Sequence, residues 1–189
     1  MARGDLVFMG PPGSGKGTQA QTLVRDGMVQ LSTGELFRDN IKRGTSLGQK
    51  AKAYIDRGDY VPDEVTVDMV REWLRGIAKD TRIVFDGFPR TVAQADELDA
   101  LLTEFGRKVD SVILIDAPRD ELLQRLTKRS QEQGRTDDTP AVIGRRLDVY
   151  KEQTQPVVDH YKKKALVHRV DGLGTREDVT TRLRQALTE

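Results

Sequence analysis

The sequence predicts an α/β fold in which helices cover both faces of a parallel sheet. Short, continuous apolar runs rich in β-branched residues alternate along the chain with longer helical stretches. This alternation is typical of buried parallel strands joined by helical crossovers. The first apolar run, 6–9, leads directly into a glycine-rich segment, 10–18, and then into a helical stretch. A strand, a glycine-rich loop and a helix in this order form a phosphate-binding cradle.

The remaining elements follow from the same local patterns, taken in chain order. The strands are short apolar runs such as Val-Ile-Leu-Ile at 112–115, and the helices are longer stretches that carry more charge. The expected strands are 6–9, 29–31, 83–85 ending at Asp86, 112–115 and 166–170. The expected helices are 16–25, 34–79 with breaks at 44–45 and 58–62, 92–105, 119–132, 140–164 and 176–187. In such a fold, ligands bind at the carboxyl ends of the strands.

Composition narrows the class of protein. The chain has 189 residues, which suits one domain with a sizeable core, and its net charge is only +1. No nucleic-acid partner and no membrane partner is therefore expected, and no apolar run approaches the roughly 20 residues of a membrane span. The first residues run straight into the first strand, so no signal peptide is expected. The absence of cysteine excludes disulfides and cysteine-type zinc sites, and the cytoplasm is the default location.

The glycine-rich segment 10–18 is the main functional signal. Its four glycines allow the backbone to wrap around an anion, and the following helix and Lys16 add positive charge. The flanking strand and helix argue against a chance match. Gly17 follows Lys16, where the standard loop has a hydroxyl for Mg²⁺, and the hydroxyl comes one position later at Thr18. We therefore expect Mg²⁺ to be held by water and other groups.

A second candidate segment follows the strand at 83–85. Asp86 ends that strand, where a carboxylate can hold Mg²⁺ or its waters, although it could instead cap the next turn. Gly87 permits close backbone approach and Pro89 stiffens the loop. Arg90 would then be presented from a fixed base for bidentate phosphate binding, the alternative being a surface arginine that starts a helix.

Other candidate residues are less specific when taken alone. After the second strand, Ser32 or Thr33 could cap the next helix, and Arg38 lies about one turn into it. A group of charged residues flanks a short segment, 130–134, that is expected to be flexible. This group comprises Arg125, Arg129, Arg135, Asp137, Asp138, Arg145 and Arg146. It could be a solvated face, or a lid that excludes water and stabilises phosphoryl transfer. His160 and His168 are interpreted as structural.

Taken together, these motifs resemble those of the adenylate kinases, a family of nucleoside monophosphate kinases. The resemblance covers nearly the whole chain, at 10–19, 31–35, 86–91, 134–138 and 170–172. It implies a P-loop NTPase domain over 1–189, with three α/β/α layers and five parallel strands. It also implies a helical monophosphate-binding part at 32–61 and a short lid at 129–135. The implied reaction is ATP + AMP ⇌ 2 ADP with Mg²⁺, by direct in-line transfer in a monomer.

The resemblance also implies roles for individual residues. The ATP side comprises Gly13, Ser14, Gly15, Lys16, Gly17, Thr18, Arg129 and Gly174. The AMP side comprises Thr33, Arg38, Asp59, Tyr60, Val61, Gly87, Phe88, Pro89, Arg90, Gln94, Arg135 and Arg146. The residues implied in catalysis are Lys16, Arg90, Arg125, Arg135 and Arg146, and Asp86 would hold Mg²⁺ through water. Since only five residues separate Arg129 from Arg135, the lid is the short form and zinc is not expected.

Three alternatives remain open at this point. A UMP/CMP kinase also has a short lid, although Thr33 and Gln94 suit the edge of adenine better. A GTPase-type switch would need an Asn-Lys-x-Asp motif, whereas the single Asn, Asn40, is followed by Ile41. A kinase of another small acceptor would share the phosphate loop but has no reason to carry the acceptor-side residues.

Overall fold

The structure, a computed structural model, describes residues 4–188 and contains a parallel sheet. Residues 1–3 and 189 of the predicted domain 1–189 lie outside the described residues. The strands are β1 Asp5–Met9, β2 Val29–Ser32, β3 Ile83–Asp86, β4 Val109–Asp116 and β5 Val167–Asp171. They form a five-stranded sheet in the order β2-β3-β1-β4-β5, with every neighbouring pair parallel. The predicted α/β class and the five parallel strands are confirmed.

The helices connect these strands as predicted, with small differences in their bounds. They are α1 Lys16–Arg25, α2 Thr33–Lys42, α3 Ser46–Ile55, α4 Asp63–Arg75, α5 Val92–Glu104, α6 Arg119–Gln133, α7 Pro140–Val149, α8 Gln155–Lys162 and α9 Arg176–Ala186. A 3₁₀ turn spans Thr136–Asp138, and a π-helical turn, Tyr150–Thr154, divides the single helix expected over 140–164. The expected flexible segment 130–134 is corrected: α6 stays helical through Gln133, and Gly134 ends it in the left-handed conformation.

The sheet separates two apolar layers, which explains the continuous apolar strands. In β1, Val7 and Met9 pack into one cluster with helices α4, α5 and α8, while Leu6 and Phe8 pack into another with α1 and α9. Side chains of a strand alternate between the two faces of a sheet, so a strand covered on both faces must be apolar at every position. The three-layer arrangement follows from this pattern.

The strand register brings the candidate segments to the same edge of the sheet. Asp86 at the end of β3 lies beside Phe8 of β1 on one side and Ser32 of β2 on the other. The loops that leave β1, β2 and β3 therefore begin next to one another. The glycine-rich loop, the start of α2 and the loop before α5 meet there, although they are far apart in the sequence.

Candidate active site

A cavity of about 630 Å³ lies at the carboxyl edge of the sheet. It is lined by the loops after β1, β2, β3 and β5 together with parts of α6 and α7. Its volume lies within the roughly 300–1,000 Å³ that is usual for ligand sites. Every predicted site residue lines this cavity except Phe88, which is fully buried in the hydrophobic core. The predicted acceptor-side role of Phe88 is therefore restricted to its backbone.

The glycine-rich loop is folded tightly around its own backbone. Gly10 has φ 142°, and a Cβ atom built there would lie 2.0 Å from the carbonyl oxygen of Ile115, so only glycine fits. The Lys16 ammonium turns inward and donates to the carbonyl oxygens of Gly10 (2.6 Å) and Pro11 (3.0 Å). The Ser14 hydroxyl is buried without a hydrogen-bond partner among the described residues. The loop thus places the Lys16 ammonium and the Ser14 hydroxyl beside the cavity.

Lys16 lies in an unfavourable place for a positive charge. Burial lowers the pKa of Lys16 to about 8, and although Asp86 opposes this, the charges of Arg90 and Arg146 add to the lowering. The cavity therefore holds an excess of positive charge near the loop. Negatively charged groups such as phosphates would relieve this repulsion.

Asp86 lies between the second strand and the glycine-rich loop. Its Oδ2 atom accepts a hydrogen bond from Gln30 Nε2 at 3.1 Å and lies 3.4 Å from a Cβ atom built on Gly17. Within residues 4–188, no three His, Cys, Asp or Glu side chains form a group that could hold a metal ion. Mg²⁺ commonly binds one or two carboxylates plus substrate phosphates, so a lone carboxylate beside a phosphate loop fits this metal.

Arg90 is held from several directions, but its guanidinium remains available to a ligand. Its Nε donates to the carbonyl oxygen of Gly87 at 2.7 Å, and its guanidinium carbon lies 5.0 Å from the centre of the Tyr60 ring. Its backbone carbonyl accepts from the Thr154 hydroxyl at 2.8 Å, and Tyr60 shares a hydrogen bond of 2.7 Å with that hydroxyl. Within the described part of the chain, no carboxylate forms an ion pair with Arg90. An anion in the cavity is thus a suitable partner.

Gly87 is essential to this arrangement. It has φ 77°, and a Cβ atom there would lie 2.8 Å from a guanidinium nitrogen of Arg90 and 2.9 Å from the Thr33 hydroxyl. The Thr33 hydroxyl donates to the Gly87 carbonyl oxygen at 2.7 Å. The start of α2 and the loop before α5 are therefore in direct contact.

A cluster of arginines and aspartates also borders the cavity, and we call it the Arg/Asp cluster. Its members are Arg129, Arg135, Asp137, Asp138 and Arg146. Asp138 is fully buried and accepts two hydrogen bonds from Arg129, at 2.6 and 2.8 Å, and one from Arg146. Asp137 accepts two from Arg135, at 2.9 and 2.6 Å. These contacts fix the arginine side chains at the cavity.

The charges of this cluster depend strongly on one another. Burial alone would raise the pKa of Asp137, but the hydrogen bond from Arg135 and the charges of Arg146 and Arg135 hold it well below its usual value. Burial lowers the pKa of Arg146 to about 10 despite the two carboxylates. Asp137 therefore remains ionised near neutral pH, and Arg146 keeps its charge.

Two other predicted arginines reach the cavity from other parts of the fold. Arg125 donates to Glu121 at 2.7 Å and to the Gly172 carbonyl oxygen at 2.9 Å, which places it between α6 and the loop after β5. Arg38 approaches Asp137 at 4.0 Å from α2. Burial lowers the pKa of Arg38, and the nearby charge of Arg135 adds to this effect. Both residues line the cavity, Arg125 from α6 and Arg38 from α2.

Several residues that support the site have no role that local sequence patterns predict. Asp137 and Asp138 belong to a motif and to a run of charged residues, yet they hold three of the predicted arginines. Thr154 lies in the π-helical turn, where no local pattern predicts its contact with Arg90. Asp63 and Thr154 each bind residues that are distant in sequence. Of these residues, only the pair Asp137-Asp138 was predictable from the sequence, because buried arginines need carboxylates to balance their charge.

No helix within residues 4–188 combines the length and apolar character needed to cross a membrane.

Comparison with known proteins identifies the family. The family model described as Adenylate kinase matches residues 8–166. The chain is 45% identical to an adenylate kinase of Thermus thermophilus over 183 residues, covering 96% of each chain. It is 48% identical to one of a Nocardioides species, covering 96% of each chain, and 51% identical to one of Kocuria rhizophila, covering 96% of this chain and 97% of the relative. The chain therefore belongs to the adenylate kinase family.

Proposed function

We propose that this protein catalyses the reversible transfer of a phosphoryl group from Mg-ATP to AMP, which gives two ADP. The observation that carries the proposal is a single cavity that is lined by the glycine-rich loop as well as by several arginines of other elements. The glycine-rich loop and Lys16 form one wall, and Arg38 and Arg90 belong to the other. Two nucleotides bound to these walls would have their phosphates facing each other, as direct transfer requires.

On the donor side, the backbone of residues 13–18 would bind the phosphates of ATP, with Lys16 as the point charge. Arg129 and Gly174 would contact the rest of the nucleotide, since both line the cavity. On the acceptor side, Arg38 and Arg90 would bind the phosphate of AMP. The side chains of Thr33 and Gln94 would face its base, and 59–61, Gly87 and Pro89 would complete the wall.

The transfer step needs positioning and positive charge rather than covalent chemistry. The transferring phosphoryl group spreads negative charge over its equatorial oxygens, and cations stabilise that charge most effectively away from water. Arg90, Arg125, Arg135 and Arg146 would surround it together with Lys16. The Arg/Asp cluster supports this role, because its carboxylates orient the arginines before a nucleotide binds. Attack by an AMP phosphate oxygen would be direct and in line.

Mg²⁺ would lie near Asp86 and be held through water. The position of the Asp86 carboxylate beside the glycine-rich loop supports this assignment, as does Gly17 in the place of a coordinating hydroxyl. When bound, the ion would neutralise charge on the phosphates of the donor. The cytoplasmic location and the monomeric state stay predictions of the sequence.

We further propose that residues 32–61 are the monophosphate-binding part and that 129–135 act as a short lid. Phe37, Ala51 and Val61 form a small apolar cluster distinct from the two that flank the sheet. A part with its own core can move as a unit. Arg129 and Arg135 lie at the end of α6 and beyond it, where a small movement would open or close the cavity.

A coupled assay of ADP formation tests the acceptor. With ATP and Mg²⁺ as donor, AMP, CMP, UMP and GMP are supplied separately, and the highest kcat/KM is expected for AMP. The physical reason is that Thr33 and Gln94 offer hydrogen bonds suited to the edge of adenine. Faster turnover with CMP or UMP would instead support a UMP/CMP kinase, and no transfer to any of the four would overturn the proposal.

The lowered pKa of Lys16 predicts proton uptake when ATP binds above pH 8. In the free protein, Lys16 is largely neutral at pH 9, whereas a bound phosphate raises its pKa and restores the charge. Proton uptake is expected to rise by close to one proton between pH 7 and pH 9. Titration calorimetry with ATP in buffers of different ionisation enthalpy measures this number.

Lys16→Arg serves as the control, because a guanidinium remains protonated throughout this range. It is expected to show no such rise. For the free protein, a rise in pH affects folding and ATP binding in opposite directions. Because burial disfavours the charged form of Lys16, the free energy of unfolding increases as the pH rises from about 8 towards 10.5. An unchanged proton number in the wild-type protein would contradict the assignment of Lys16 to phosphate binding.

A further inference from the structure

A side chain outside the cavity holds a side chain that lines it. Asp63 is the first residue of α4 and does not line the cavity. Its Oδ1 atom accepts a hydrogen bond from Gln94 Nε2 at 2.7 Å, and its Oδ2 atom accepts from the Thr91 hydroxyl at 2.8 Å. Gln94 is only 1% exposed and forms part of the cavity wall. Its Oε1 atom accepts from the backbone N–H of Arg90 at 2.7 Å.

These two contacts permit only one orientation of the Gln94 amide. An ionised carboxylate can only accept hydrogen bonds, so the amino group of Gln94 must face Asp63. A backbone N–H can only donate, so the oxygen of Gln94 must face Arg90. Rotating the amide by half a turn would place oxygen against carboxylate and N–H against N–H. Neither contact could then form, and the side chain is too buried for water to replace them.

We propose that Asp63 is a positioning residue that sets the base selectivity of the acceptor site by anchoring the Gln94 amide in this orientation. The inference rests on the proposed function, in which Gln94 faces the base of AMP. The anchored amide has one N–H and one oxygen lone pair left for a ligand. These groups complement a base edge that carries a ring acceptor beside an exocyclic amine, as adenine does at N1 and its 6-amino group.

The same orientation disfavours a purine with a 6-oxo group. In the pose of adenine, a hypoxanthine base would place its O6 against Gln94 Oε1 and its N1–H against Gln94 N–H. Both pairs are repulsive, so the anchored amide selects by rejection as well as by attraction. An amide free to rotate would accept either edge. The selectivity for the 6-amino purine therefore depends on what holds the amide.

A structural role for Asp63 predicts a different result. The Thr91 hydroxyl also caps α5 by accepting from the Gln94 backbone N–H at 3.1 Å, so Asp63 links the starts of α4 and α5. Loss of that link alone would weaken turnover with every acceptor to the same degree. The ratio of two acceptors that differ only at the base edge separates the two roles.

The test compares AMP with IMP, which carries a 6-oxo purine on the same ribose phosphate. For Asp63→Ala, the ratio of kcat/KM for AMP to kcat/KM for IMP is expected to fall about tenfold, which is the size of one lost hydrogen-bonding discrimination. Most of the change is expected as a higher KM for AMP, with little change in the KM for ATP. Asp63→Ser is expected to give the same fall, since its short hydroxyl is too far from Gln94 while it still suits a helix start.

Two further variants complete the design. Asp63→Asn keeps an acceptor oxygen for Gln94, and the Thr91 hydroxyl can turn to accept from the new amide, so the ratio is expected to return close to that of the wild-type protein. Glu64→Ala is the matched control, because Glu64 is an exposed acid in the same first turn of α4. It has no hydrogen bond to Gln94, and its ratio is expected to be unchanged.

The outcomes distinguish this inference from the function on which it rests. An unchanged ratio in both Asp63→Ala and Asp63→Ser, or a ratio in Asp63→Asn as low as in Asp63→Ala, would overturn the positioning role. A wild-type protein that shows no preference for AMP over the other monophosphates would instead overturn the proposed acceptor. A fall in the ratio with recovery in Asp63→Asn supports the inference.

Discussion

Replacement of Arg90 by alanine is expected to lower kcat by about 10³-fold, or about 4 kcal/mol of transition-state stabilisation. The guanidinium of Arg90 faces the cavity from a loop that is fixed at the edge of the sheet. Its Nε is occupied by the Gly87 carbonyl oxygen at 2.7 Å, which leaves its terminal nitrogens for a phosphoryl group. Steady-state kinetics with ATP and AMP measures the effect, and the loss is expected mainly in kcat rather than in KM for ATP.

The fold should tolerate this substitution. Alanine keeps the backbone N–H that donates to Gln94 and the carbonyl that accepts from Thr154. The thermal unfolding midpoint is therefore expected to stay within a few degrees of the wild-type value. Arg75→Ala is the matched control, since the side chain of Arg75 is 62% exposed at the end of α4 and, among residues 4–188, forms an ion pair only with Glu72. A folded Arg90→Ala protein with the turnover of the Arg75→Ala control would rule out the proposed role.

The variant Arg90→Lys distinguishes the contribution of positive charge to kcat from that of the guanidinium geometry. Lys retains one positive charge but offers a compact ammonium in place of the planar fork of a guanidinium. It also cannot hold the Gly87 carbonyl and a phosphoryl oxygen with separate nitrogens. Arg90→Lys is therefore expected to recover only a small part of the lost kcat. Full recovery would indicate that charge alone accounts for the contribution of Arg90.

Replacement of Asp138 by alanine is expected to lower both stability and turnover. Asp138 is fully buried and pairs with Arg129 and Arg146. Without it, Asp137 would have to balance both Arg135 and Arg146, and Arg129 would lose its carboxylate partner. Removing one partner of a buried ion pair costs about 3–5 kcal/mol, and the lower value applies here because the arginines border an open cavity. For a domain of this size, about 3 kcal/mol corresponds to a fall of roughly 6–12 °C in Tm.

The turnover of Asp138→Ala is expected to fall about 10²-fold, because misplaced arginines stabilise the transferring phosphoryl group poorly. Thermal unfolding and steady-state kinetics measure the two effects on the same preparation. Asp148→Ala is the control, as Asp148 lies on α7 like Arg146 but its side chain is 59% exposed and lies 3.9 Å from that of Arg119. A Tm within 2 °C of this control would show that the carboxylate is not the main counter-charge of the cluster.

The local sequence patterns were sufficient for most of the secondary structure. The helix predicted at 16–25 is observed with those bounds. Outside 150–154, the other bounds lie within about three residues of their expected positions, except that α4 ends at Arg75 rather than at 79. Continuous apolar runs identify buried strands because both faces of the sheet are covered. The patterns were insufficient at 150–154, where a π-helical turn interrupts the helix expected over 140–164 just before Pro156. A proline cannot donate a backbone N–H to the carbonyl four residues earlier, which here is that of Glu152. At 130–133 the chain stays helical until Gly134 ends α6, within one residue of the end expected for the helix 119–132.

The residues of the candidate site were also largely predictable, but their connections were not. Lys16 and Arg90 stand in segments whose composition alone indicates phosphate binding. By contrast, the Arg/Asp cluster required knowing that Asp138 is buried beside Arg129 and Arg146. A charge run gives no indication of which of its members pair with each other and which are solvated.

The sequence by itself determined that this chain has an α/β fold with a phosphate-binding loop, and its motifs identified the family. Those features depend on neighbouring residues, such as a strand followed by glycines and a lysine. Only the tertiary structure decided the strand order β2-β3-β1-β4-β5, the contact between Thr154 and Arg90, and the anchoring of Gln94 by Asp63. These contacts join residues that are 31 or more positions apart. Their hydrogen bonds depend on how the helices pack on the sheet, which no local pattern specifies.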